Sequence, residues 1–173
     1  SLNIRVLVSS FIFTSQSWGN FGLTLSNNPA TEVEIDDRRA KLATQISKSE
    51  VVFMKQTHSS DVAIVESSGN STQIIGADGI VTNKRDLALA VLVGDCIPLL
   101  LSSPTVVGAI HVGRKGMQQN IAREAITAMR SLGATEIQGL LGPSICANCY
   151  EVSPEMYEEV TAQVPASATN VDS

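Results

Sequence analysis

A chain of 173 residues, 43% hydrophobic and 17% charged, has the length and composition of one globular domain with a substantial core. Its net charge of -5 and the absence of any block of Lys or Arg exclude the electrostatic footprint of a nucleic-acid binder and leave small molecules as the expected ligands. Three cysteines, Cys96, Cys146 and Cys149, cannot all pair within the chain, so a reducing cytoplasm is the expected compartment.

Ile4 to Phe13 is apolar, short and without a basic leader of any length, and reads as a first strand rather than a signal remnant. Ser15 to Pro29 is rich in Ser, Asn and Gly and carries the only tryptophan, Trp18, as expected of a loop over the surface or near a ligand. Thr31 to Ser47 places Ile35, Leu42 and Ile46 at helical spacing, with Thr31 as N-cap and Glu32 and Glu34 in the first turn. Val51 to Met54 and Val62 to Val65 are short β-branched runs, so His58 stands on the connection between two strands. Gly69 to Gln73 reads as a turn and Ile80 to Thr82 as a short strand. Leu87 to Val93 is apolar on both faces, as in the middle of a covered sheet.

The apolar run Leu87 to Leu101 is interrupted by Gly94, Asp95 and Pro98, which makes it a buried strand pair and not a membrane span. Val106 to Val112 is β-rich and ends in His111 just before Gly113. Met117 to Leu132 then sets Ile121, Ala122, Ala125, Ile126 and Met129 on one helical stripe. Gln138 to Leu141 suits one more strand, and Ser153-Pro154-Glu155 has the N-cap, first-turn proline and carboxylate that start a final helix. From Pro165 to Ser173 a frayed tail is expected. No repeat, heptad run or linker divides the chain, so residues 1–173 read as a single domain.

The chain has two histidines, His58 and His111, with Cys96 between them in Gly94-Asp95-Cys96-Ile97-Pro98. Two imidazoles and a thiolate suit a divalent metal, and three protein ligands leave a position for water or substrate, as in a catalytic rather than a structural site. No local metal motif supports the grouping; what supports it is that all three residues lie at predicted strand ends, where one sheet can gather them. The alternative is two ordinary histidines and a small buried thiol. Cys146-Ala147-Asn148-Cys149 competes as a metal or redox pair, or as two incidental thiols. Gly113-Arg114-Lys115-Gly116 at a helix start suits an anion held by backbone amides and two cations, or else is a solvated basic turn.

Five strings occur in order: Lys55-Gln56-Thr57-His58-Ser59-Ser60-Asp61-Val62, Ala77-Asp78-Gly79-Ile80-Val81-Thr82, Gly94-Asp95-Cys96-Ile97-Pro98-Leu99-Leu100-Leu101, Gly108-Ala109-Ile110-His111-Val112-Gly113, and Leu141-Gly142-Pro143-Ser144-Ile145 followed by Cys149-Tyr150-Glu151-Val152. Over residues 5 to 160 the chain therefore resembles the laccase-like multicopper polyphenol oxidase, or YfiH-like, family. Members of that family are described as zinc-dependent purine nucleoside phosphorylases with adenosine deaminase activity. The resemblance implies a compact α/β fold of mixed β-sheets flanked by helices, with metal on His58, Cys96 and His111. It also implies a superfamily shared with toxin deamidases that use Cys and His without metal. Two departures stand out. The usual His-Ala-Gly-Trp-Arg-Gly is His111-Val112-Gly113-Arg114-Lys115-Gly116 here, and Lys cannot reproduce a bidentate clamp on phosphate. Family members also continue past the Tyr-Glu-Val string with a further segment.

The reading that follows is a zinc enzyme acting on adenosine, inosine or methylthioadenosine, with nucleoside and phosphate as its small-molecule partners. Metal-activated water would attack C6 of adenosine, Asp95 would serve as acid or base, and Arg114 and Lys115 would hold phosphate. Asp78 would orient a metal ligand or contact substrate, or simply form a turn. Three rivals use the same residues: a metal-free hydrolase with Cys96 as nucleophile and His111 as base, acting on an amide or peptidoglycan precursor; a copper oxidase of phenols; and a non-catalytic member that binds metal or nucleoside without turnover.

Overall fold

The computed structural model describes residues 11–23, 30–66 and 73–168. Its elements in chain order are α1 (Glu32–Gln45), β1 (Glu50–Lys55), β2 (Val62–Ile64), β3 (Gln73–Ile75), β4 (Gly79–Thr82), β5 (Leu87–Leu89), β6 (Ile97–Ser102), β7 (Val107–Val112), α2 (Arg114–Gln118), α3 (Ile121–Ser131), β8 (Gln138–Leu141) and α4 (Pro154–Gln163), with short 3-10 turns at Gln16–Trp18, Ala147–Cys149 and Pro165–Ser167. The strands form two sheets. A parallel three-stranded sheet has the order β3-β1-β5, and a mixed five-stranded sheet has the order β2-β4-β7-β6-β8, with β2 parallel to β4 and every other pair antiparallel.

Side-chain alternation explains how these pieces stack. On β1, Val51 and Phe53 point to α1, where they meet Leu42, Ala43 and Phe21. Val52 and Met54 point the other way, into a layer shared with Ile80 of β4 and Ala109 of β7. The next residues along those strands, Val81 and Ile110, face α3 and its buried Ile121, Ala125 and Met129. The order of layers is thus α1, small sheet, large sheet, α3: an α/β fold of mixed sheets flanked by helices. β1 and β4 are covered on both faces, which is why they read as continuous apolar runs.

Several expectations hold. Thr31 caps α1 in a full capping box, its side chain accepting from the Glu34 amide at 3.3 Å while its own amide donates to Glu34 Oε2 at 2.7 Å. Ser153 caps α4 by accepting from the Met156 amide at 3.3 Å. No helix among the described residues is long and apolar enough to cross a membrane.

Others are corrected. The helix expected over Met117 to Leu132 is two helices, because Asn120 takes a left-handed conformation at φ 59 and interrupts the ladder. Asn is one of the few residues with a side chain that tolerate that region. Leu87 to Val93 is not a central strand: only Leu87–Leu89 pairs, at the edge of the small sheet. It is apolar on both faces because α1 covers one side and the large sheet the other. Nor do β5 and β6 form a strand pair; the segment between them crosses from one sheet to the other. The expected tail forms a 3-10 turn at Pro165–Ser167, and residues 169–173 lie outside the described residues. The first strand expected from Ile4 also falls largely outside them, and its described part, Phe11 to Phe13, carries no strand. So does most of the turn expected at Gly69 to Gln73, whose last residue opens the unforeseen β3.

Candidate metal centre

The register of the large sheet gathers the three proposed ligands at one end of it. His111 lies near the end of β7, opposite Pro98 at the start of β6, and Cys96 immediately precedes β6. Asp78 immediately precedes β4, whose first residue, Gly79, pairs with Ile110 and also with Val62 at the start of β2. The loop that carries His58 leads into β2. Three strand beginnings and one strand end therefore meet, and the ligand atoms of His58, Cys96 and His111 all lie within 4.8 Å of one another. Cys96 Sγ is 4.0 Å from His58 Nε2, and the two imidazoles sit edge to face at 4.8 Å between centroids. Residues 38 and 15 positions apart in the chain have become one cluster.

Asp78 organises this cluster. Its carboxylate is fully buried and accepts six hydrogen bonds: from the amides of Thr57, His58 and Ser59 at 2.9, 3.0 and 2.9 Å, from the hydroxyls of Thr57 and Ser59 at 3.1 and 3.0 Å, and from His111 Nδ1 at 2.7 Å. Three successive amides converging on one anion form the backbone concavity that commonly binds phosphate, filled here by a protein carboxylate. They hold His58 at φ 61, a left-handed conformation that ordinarily costs about 1–2 kcal/mol in a residue with a side chain. Burial works against the charge on Asp78, but the hydrogen bonds from Ser59, His111 and Thr57 outweigh it and bring the pKa from 3.8 down to about 2. An ionised carboxylate only accepts, so His111 donates from Nδ1, which leaves Nε2 as the nitrogen that could bind a metal. A carboxylate on the far nitrogen of a ligating histidine is the usual outer support of a metal site.

The sign of this pKa shift sets a pH dependence. Asp78 adds stability at pH values above the unfolded-state pKa, and that contribution disappears as the pH falls from about 4 through about 2. We expect about 2 kcal/mol of acid-dependent loss from this group. Urea denaturation at pH 5 and pH 2.5 checks it: the Asp78→Asn variant should show the smaller pH dependence, and equal slopes would remove the charge from the account.

Space at the centre depends on Gly113. A Cβ there would stand 3.0 Å from His58 Cδ2, 3.4 Å from Cys96 Sγ and 3.6 Å from His111 Cε1, touching all three ligand side chains. The Gly113 backbone is ordinary, at φ -81, so the glycine is there for room rather than for conformation. Gly113→Ala should cost about 1–3 kcal/mol by overpacking and weaken metal binding by displacing the ligands. Isothermal titration with a divalent metal would test this, and unchanged affinity would show that the cradle has slack.

The remaining predicted residues are placed as follows. Asp95 is exposed beside Cys96, and its carbonyl accepts from the Ile145 amide at 3.0 Å. Arg114 donates to Gln118 Oε1 at 3.0 Å and lies 3.7 Å from Glu159 of α4; Lys115 is exposed. Trp18 lies away from the cluster, in a cavity of about 270 Å³ that it lines with Arg38 and Lys41 of α1. Cys146 and Cys149 are not part of the ligand group. Burial pushes the Cys96 thiol up, and the charges of Asp95 and Asp78 push it further the same way. Sequence reasoning missed Thr57 and Ser59 as supports, and Gln56, which pins the segment after β5 by donating to Leu92 O at 2.8 Å and accepting from Leu92 N at 2.9 Å.

The candidate ligand group joins the two histidines and one cysteine of the motif strings, and a family model supplies the context. The model for multi-copper polyphenol oxidoreductase laccases matches residues 8–173. The chain belongs to this family. A purine nucleoside phosphorylase of Streptomyces griseus is 39% identical over 172 residues, an alignment covering 91% of this chain and 69% of that protein. Among solved structures, a protein of Neisseria meningitidis matches with a TM-score of 0.72 at 26% identity, over 89% of this chain and 63% of its own. YfiH of Bacillus licheniformis matches with a TM-score of 0.66 at 25% identity, over 86% and 59%. The chain thus spans 59–69% of the length of these three relatives. As a member of the laccase family it has the fold that the motif strings implied.

Proposed function

We propose that this chain carries the metal centre of a purine nucleoside enzyme that cleaves adenosine, inosine or methylthioadenosine with phosphate and deaminates adenosine, in the cytoplasm and as a single domain. The observation that carries the proposal is the meeting of His58, Cys96 and His111 within 4.8 Å, with Asp78 holding the far nitrogen of His111. The name of the Streptomyces griseus relative supports purine nucleosides as the substrate class.

The donor set fits zinc: two imidazoles and one thiolate, those of His58, His111 and Cys96, whose ligand atoms lie within 4.8 Å of one another, would hold it. Zinc in such a site supplies Lewis acidity and lowers the pKa of a bound water to near neutrality. Around it, Asp78 positions His58 and His111 and is spent on protein donors, so its role is support rather than substrate contact. Asp95, exposed next to Cys96, is the group that takes or returns a proton. Arg114 and Lys115, which follow Gly113 directly, hold phosphate; the exposed Glu159 is a partner of Arg114 that an incoming anion can replace.

The rivals are weaker on physical grounds. A metal-free Cys96 nucleophile needs a stabilised thiolate, whereas its surroundings favour the neutral thiol. Copper also suits the ligands, but both histidines of this chain are already in one group, leaving none for a second copper. Zinc-loaded protein incubated with adenosine and inosine, with and without phosphate, is expected to release free base only when phosphate is present and to convert adenosine to inosine without it. Neither product would sink the enzymatic reading and leave a binding protein.

A further inference from the structure

Two of the three thiols take no part in the metal group. Cys146 precedes the 3-10 turn Ala147–Cys149 and Cys149 ends it, both exposed, with no disulfide between them. The Cys149 amide donates to the Cys146 carbonyl at 3.0 Å, which closes a four-residue turn. Such a turn keeps its end Cα atoms within about 7 Å, at or near the range that a disulfide spans. The side chains use that proximity: the two sulfurs are 2.7 Å apart. That is well inside ordinary nonbonded sulfur contact. The turn also hangs on the loop before Cys96, through the hydrogen bond from Ile145 to Asp95.

We propose that Cys146 and Cys149 are a covalent modification site that forms a reversible intramolecular disulfide by exchange with a low-molecular-weight disulfide. The thiolate of Cys146 attacks one sulfur of the small disulfide; that S–S bond breaks and releases a first small thiolate. Cys149, its proton given up to solvent, then attacks the Cys146 sulfur and expels the second. One S–S bond forms in the protein for one broken in the reagent. Two electrons pass from the cysteine pair to the small disulfide, and the two protons lost by the cysteines end on the two released thiols. The order of attack follows from the contact itself, because Cys149 beside it lowers the pKa of Cys146 while its own is raised.

Oxidised glutathione added to the full chain, followed by iodoacetamide and peptide mass mapping, tests this. The expected result is loss of two hydrogens from the peptide holding residues 146–149, protection of both sulfurs from alkylation, and recovery of both on reduction. The Cys149→Ser variant should stop at a mixed disulfide on Cys146, since no second thiol is present to release it. The proposal is overturned if both cysteines stay open to iodoacetamide, if each carries its own glutathione with no bridge, or if the bridge maps to Cys96.

Discussion

Replacing Asp78 with alanine is expected to cost about 3–5 kcal/mol, the range for removing one member of a buried, hydrogen-bonded charge pair. The change strips the acceptor from six donors at once: the amides of residues 57 to 59, two hydroxyls and the His111 ring. Each buried donor left without a partner adds its own desolvation penalty. Loss of the three amide contacts also frees His58 from its left-handed conformation, so metal affinity should fall along with stability. Urea denaturation of the metal-free protein gives the first effect and metal titration the second. A loss below about 1 kcal/mol, a surface-like value, would mean that the loop is held by something other than this carboxylate.

Cys96→Ser is expected to have the opposite profile, with a small effect on metal-free stability and a large one on metal binding. The swap conserves shape at a partly buried position but replaces a thiolate donor with a neutral hydroxyl. Affinity should fall by more than the 10–100-fold typical of losing an outer partner, read by competition against a chromophoric chelator. The same experiment separates the metal reading from the nucleophile reading. In wild-type protein, added zinc should protect Cys96 from iodoacetamide. Alkylation at the same rate with and without metal would favour a free thiol.

The candidate ligand group was legible in the sequence because its chemistry is scarce: the chain has only two histidines, and Cys96 lies between them at a strand boundary. Elements governed by local rules were legible for the same kind of reason. Thr31 with Glu34 caps α1, Ser153 before Pro154 caps α4, and the spacing of Ile121, Ala125 and Met129 marks the buried face of α3. Asp78 was harder, since nothing within its own turn reveals that its donors come from residues 19 to 33 positions away. An Asp before Gly looks like a turn residue until the sheet brings the His58 loop and His111 onto it. The double apolar face of β5 was misleading for a related reason. Burial on both faces follows from layering, which here covers an edge strand as completely as a central one. The left-handed Asn120 lies inside an unbroken helical pattern, and only tertiary packing decides that the helix divides there.

Elemental analysis of the purified protein beside a His58→Ala variant decides whether His58, Cys96 and His111 hold a metal. About one divalent metal ion per chain is expected in the wild type, as in a three-ligand catalytic site, and little or none in the variant. Equal metal in the two proteins, or none in either after loading with zinc, would contradict it.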